Sequence, residues 1–139
     1  MKNARQICRY AQSYLGNGTI KNSDTQSSYH LIARPYAASG GDIAAEVCLS
    51  AHSGNWVVHV YQGIARRHDL SKIGLDTRSA AMAHVQSLKD AFKHIGDLKI
   101  RLYDIDQEMQ SCKGTGYWQQ LYEESQTLGA ELLQTESNL

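Results

Sequence analysis

Residues 44–63 read AAEVCLSAHSGNWVVHVYQG, and they decide the fold. Two runs rich in valine and aromatic residues flank His52-Ser53-Gly54-Asn55, the pattern of an antiparallel hairpin closed by a short glycine-containing turn. Just upstream, Tyr29–Tyr36 (YHLIARPY) makes a third strand that ends near Pro35, because proline has no N–H to give to a sheet ladder. Ser39-Gly40-Gly41-Asp42 supplies the turn between that strand and the hairpin. Side chains alternate across a strand, so the residues sort onto two faces. Leu31, Ile43, Ala45, Val47, Leu49, Trp56, Val58 and Val60 form a core face, while His30, Arg34, Tyr36, Glu46, Cys48, Ser50, His59 and Tyr61 form a half-polar one. The pattern predicts a three-stranded antiparallel sheet with one wet face.

Around this centre the period changes from two to between three and four. Ile7, Ala11, Tyr14 and Leu15 share one face of a helix over residues 3–15, stopped by Gly16-Asn17-Gly18, and residues 16–28 read as a polar loop. A polar connection containing Arg66, Arg67 and His68 follows the hairpin, and Asp76 or Thr77 caps a helix through SAAMAHVQSLKDAFKHI whose stripe is Ala81, Val85, Leu88, Phe92 and Ile95. Residues 97–102 suit either a strand after Gly96 or a continued helix, and helix is expected over 102–112. After the turn Lys113-Gly114-Thr115-Gly116, a last helix carries Trp118, Leu121, Leu128 and Leu132 on one stripe. The expected fold is α+β: an N-terminal helix, a three-stranded antiparallel sheet with a helix packed on it, and a C-terminal antiparallel helical hairpin, in one domain over 1–139.

A formal net charge of zero conceals a division along the chain. Residues 1–103 hold 13 of the 14 Lys and Arg against 7 of the 14 Asp and Glu, a net +6, and residues 104–139 carry the balancing −6. A basic body joined to an acidic helical part favours an anionic or acidic partner for the former and repels one at the latter. Three cysteines, Cys8, Cys48 and Cys112, form no CxxC pair and no even set, which argues against a disulfide framework or a zinc ribbon. The segment MKNARQICRYAQSYLG interleaves charged residues with apolar ones, and no run is long enough to span a bilayer, so a cytoplasmic protein without membrane contact is expected.

The catalytic and metal-binding patterns are missing. His30, His52, His59, His68, His84 and His94 make no HxH, HxxxH or HExxH unit, no GxSxG elbow exists, and neither glycine turn follows a strand as a phosphate loop must. No cofactor and no metal are expected, and the cysteines read as buried, inert thiols. The candidate partner-binding residues are Arg34, Tyr36, His59, Tyr61, Arg66, Arg67 and His68, where guanidinium groups and flat rings share the outer sheet face and its adjoining connection. That mixture suits a protein hot spot, or phosphates and stacked bases.

Within residues 43–88, GNWVVHVY followed by LDTRSAAMAHV is similar in layout to the integrase arm-type DNA-binding domains. Its strands lack the dense arginines those domains set against DNA, so the similarity is one of layout and brings no functional residue. The sequence therefore points to a non-enzymatic regulator or inhibitor, of the kind mobile elements encode, that occupies a protein surface. Nucleic-acid binding through the basic body is the alternative and a small enzyme the third reading. A homodimer through the C-terminal helices is a further option.

Overall fold

A helix opens the chain because Asn3 and Gln6 satisfy each other's backbone. The Gln6 N–H donates to Asn3 Oδ1 at 2.9 Å and the Asn3 N–H to Gln6 Oε1 at 2.8 Å, a reciprocal cap at the start of α1 (Ala4–Leu15). The structure, a computed structural model, describes residues 2–15, 27–34 and 41–139. The expected loop at 16–28, Pro35 and the start of the turn at Ser39 thus lie largely outside the described residues.

The hairpin forms as the sequence requires. Strands β2 (Ile43–Leu49) and β3 (Trp56–Gln62) pair antiparallel, with Glu46 opposite His59 and Ala44 opposite Tyr61. Ser50 and Asn55 close the turn by a 2.8 Å backbone bond, and Gly54 takes the positive φ of 70° that a side chain would resist. Strand β1 (Ser28–Ala33) pairs antiparallel with β2, but in a register that corrects the expected facing. His30 stands opposite Ala45 and Leu31 opposite Ala44, so His30 lies on the valine face and Leu31 on the face of Glu46 and Tyr61. Alternation had fixed the period of this short strand and left its phase to partners it could not name.

Among the described residues the sheet has five strands, two more than expected, because the connection after the hairpin is itself extended. Strand β4 (Ala65–Arg66) pairs with the end of β3 and β5 (Lys72–Leu75) with its beginning. Between them the Val60 N–H donates to Ser71 Oγ at 2.9 Å and the Arg67 N–H to Val60 O at 2.7 Å, which completes the edge of β3. Both faces of the sheet are covered. Helix α1 buries Ile7, Cys8 and Ala11 against Ala44 and Tyr61. On the valine face, Ala81, Val85 and Leu88 of α2 (Arg78–Ser111) are buried, and the His84 ring bonds Leu70 O at 2.7 Å.

Thr77 caps α2 through its hydroxyl, which accepts from the Ala80 N–H at 3.1 Å. The helix then runs unbroken through Gly96 for 34 residues, about 50 Å at the rise of an α-helix, which resolves residues 97–102 as helix. Thr115 caps α3 (Gly116–Ser137) in the same way. The chain divides into two compact units, residues 1–90 and 91–139. In the second, Ile95, Leu98, Leu102, Ile105, Met109 and Cys112 of α2 and Trp118, Leu121, Leu128 and Leu132 of α3 lie on heptad spacings, with Ile105 and Leu121 buried. Polar pairs bind the two helices antiparallel: His94 with Glu131 at 2.9 Å, Arg101 with Glu124 at 3.0 and 3.1 Å, and the Tyr117 hydroxyl donating to Glu108 at 2.9 Å. Each pair is one heptad further along than the last, so the hairpin is a short antiparallel coiled coil in strict register.

Candidate functional site

The half-polar sheet face is where the sequence directs attention, and α1 lies on it. Tyr61 has no exposed surface and Glu46 is 1% exposed, so the tyrosine expected to stand outside belongs to the core. The physical reason is the amphipathic α1, whose apolar stripe needs a sheet face to cover and takes this one. Gln12 then reaches inward from the helix: its Nε2 donates to Tyr61 Oη at 3.1 Å and, more weakly, to Glu46 Oε1 at 3.4 Å. Gln12 Oε1 and Glu46 Oε2 stay buried without a hydrogen-bond partner. Such a seam has a demanding geometry, since buried polar groups are costly unless matched, and it fixes where α1 sits.

The thiols are sealed in the same layer. Burial, with the Glu46 charge second, pushes Cys8 up to about 12, and the same two causes in the same order push Cys48 up to about 12. Both are buried and neither has thiolate character to offer. Cys112, in the other unit, is partly exposed.

The remaining expected site residues are engaged rather than displayed. His59 is partly buried and its Nδ1 accepts from the Arg66 guanidinium. Burial first, then the charges of Arg66 and His68, lower its pKa to about 4, so the ring is neutral at physiological pH. Arg67 holds Asp69 with two bonds at 3.0 and 2.8 Å, and this pairing raises the arginine and lowers the carboxyl. Arg34 pairs with Asp42 at 2.7 Å and donates to Lys2 O at 2.8 Å. His68 is exposed, and Tyr36 lies outside the described residues. The structure therefore brings His59, Tyr61 and Arg66 to one face, beneath or beside α1, and gives Arg67 and Arg34 to local ion pairs.

A different set of residues faces outward from α1. Lys2 Nζ sits 3.2 Å from the centroid of the Tyr10 ring, and Tyr10 meets Tyr14 edge to face at 5.2 Å with their hydroxyls 3.2 Å apart. On the other flank of the helix, Arg5 and Arg9 lie over the ring of Tyr29 of β1 at 5.9 and 5.8 Å. The helix contains no carboxylate. Sequence reasoning assigned Tyr14 to the helix's apolar stripe and passed over this face; the i, i+4 spacing of Tyr10 and Tyr14 was the signal that could have found it. Among the described residues no group of three His, Cys, Asp or Glu side chains is placed to hold a metal ion, and no helix is long and apolar enough to cross a membrane. Comparison with protein-family models, with curated proteins and with solved structures finds no match to this chain, so the similarity of layout over residues 43–88 gains no structural counterpart.

Proposed function

We propose that this chain is a non-enzymatic binding protein, a small regulator or inhibitor acting in the cytoplasm, and that it occupies a protein surface through the outward face of α1. The observation that carries this reading is the array of Lys2, Tyr10 and Tyr14 on and just before a helix without carboxylates. Tyrosine and arginine are the residues that dominate binding hot spots. Here the rings are already ordered against each other and the helix is fixed from beneath by Gln12, Glu46 and Tyr61, so little entropy remains to be lost on docking.

Tyr10→Ala with Tyr14→Ala tests it. Against the protein that co-purifies with the wild-type chain, affinity falls by about 2 kcal/mol or more, with modest dependence on salt and an unchanged melting curve. Unchanged affinity rejects the face. The carboxylate-free helix also gives a second reading, nucleic-acid binding by the same surface. In that case affinity for oligonucleotides falls steeply with added salt, and Lys2→Ala flattens the slope by about one unit.

A further inference from the structure

The coiled-coil hairpin of residues 91–139 has two edges of different character. On one edge, His94, Arg101 and Glu108 of α2 meet Glu131, Glu124 and Tyr117 of α3, and every one of these side chains has its partner across the seam. On the other edge the heptad places Lys99 and Asp106 on α2 with Tyr122, Gly129 and Glu136 on α3. Antiparallel helices bring these two rows to the same side. Three of the large apolar side chains the hairpin leaves exposed lie there: Tyr103 at 65% between the two charged positions of α2, and Tyr122 at 41% and Leu133 at 70% on α3. Tyr117, on the closed edge, and Ile100, on the outer side of α2, are the exceptions.

We infer that this open edge is the docking surface for a second copy of the chain, and that two hairpins close into an antiparallel four-helix bundle. The occupant follows from charge. Lys99 and Asp106 are opposite in sign and one heptad apart on one helix edge, so a two-fold axis midway between them sets Lys99 of each copy against the partner's Asp106. Tyr103 lies between the charges and meets its own counterpart near the axis, an arrangement that is self-complementary as an isologous interface must be. Packing supports the same end. A pair of helices leaves Leu102, Met109, Leu128 and Leu132 of the seam only partly covered, and apolar residues on one flank of an a/d seam are the pattern of a helix facing a bundle core. This inference concerns a surface separate from α1 and stands or falls without it.

Sedimentation equilibrium on the full chain over a range of concentrations reads the outcome. The wild type is a dimer. Tyr103→Glu with Leu133→Glu is a monomer with its helical signal retained. Lys99→Asp sets like charges against each other twice in the dimer and weakens it about tenfold or more. Adding Asp106→Lys to Lys99→Asp rebuilds the complementary pair in reverse and restores association, which a merely unfolded variant would not do. A wild type that stays monomeric at high micromolar concentration overturns the inference, as does a dimer indifferent to these four changes. Tyr10→Ala with Tyr14→Ala leaves the dimer intact, so loss of partner binding and loss of dimerisation are read separately.

Discussion

At the residue scale, His59 decides how the protein responds to acid. Its Nδ1 accepts a bond from the Arg66 guanidinium, so protonation would place one cation against another in a partly buried site. The folded ring titrates at about 4, below the ordinary 6.5 of the unfolded chain, and between those values the unfolded state binds the extra proton. Stability rises with pH wherever the unfolded state binds more protons. The contribution of His59 is therefore fully present above about pH 6.5 and is lost as pH falls toward 4, to an extent on the order of 3 kcal/mol. His59→Asn keeps an acceptor and removes the titration. Thermal melts from pH 7.5 to 4 should show a shallower acid limb for the variant, and parallel limbs would dismiss this account. The sequence identified His59 and Tyr61 as neighbours on one face, and Arg66 as adjacent, but alternation assigns a face and is silent on what lies over it. The cover came from α1, more than thirty residues away in sequence, through the inward reach of Gln12.

At the element scale, the helices were legible wherever an apolar stripe and a cap agreed. Thr77 was one of two caps the sequence offered, whereas Thr115 read only as part of a turn, and residues 97–102 became ambiguous because Leu98, Ile100 and Leu102 alternate while Leu98, Leu102 and Ile105 also hold the heptad. Tertiary packing decides such cases: Leu98 and Ile105 are buried in the helical seam, and Ile100 is left outside. The two short strands β4 and β5 were not legible, since Ala65–Arg66 and Lys72–Leu75 are too short for a pattern to stand out and exist through bonds to β3. The heptad seam gives a graded expectation. Ile105 is completely buried, whereas Leu128 keeps some solvent contact. Ile105→Ala should cost about 3 kcal/mol through the cavity it leaves, and Leu128→Ala about half of that. Chemical denaturation curves that rank the two in the opposite order would show that the second half of α2 and α3 do not pack as described.

At the scale of the whole molecule, the division of charge follows the division of structure closely. Residues 1–90 carry 10 Lys and Arg against 6 Asp and Glu, a net +4, and residues 91–139 carry the reverse, where the charge pattern alone had set the border near residue 103. One helix, α2, belongs to both units, with Ala81, Val85 and Leu88 serving the sheet and Leu98 and Ile105 serving the coiled coil. The two halves of that helix depend on different partners, and deleting residues 117–139 separates them. Removal of α3 strips the cover from the second half of α2, which as an isolated stretch of about twenty residues has little reason to stay helical, because most helical stability in proteins comes from packing. The far-UV signal should therefore fall by more than the 22 residues of α3 account for. The sheet keeps α1, all five strands and the first turns of α2, so its own core is untouched. Trp118 leaves with the deletion and Trp56, at the start of β3, becomes the sole tryptophan. Its fluorescence should still report a cooperative urea transition with a midpoint close to that of the full chain. A truncated chain in which Trp56 shows no transition would mean that the sheet cannot fold without the coiled coil, and that the border at residue 90 marks no independent unit.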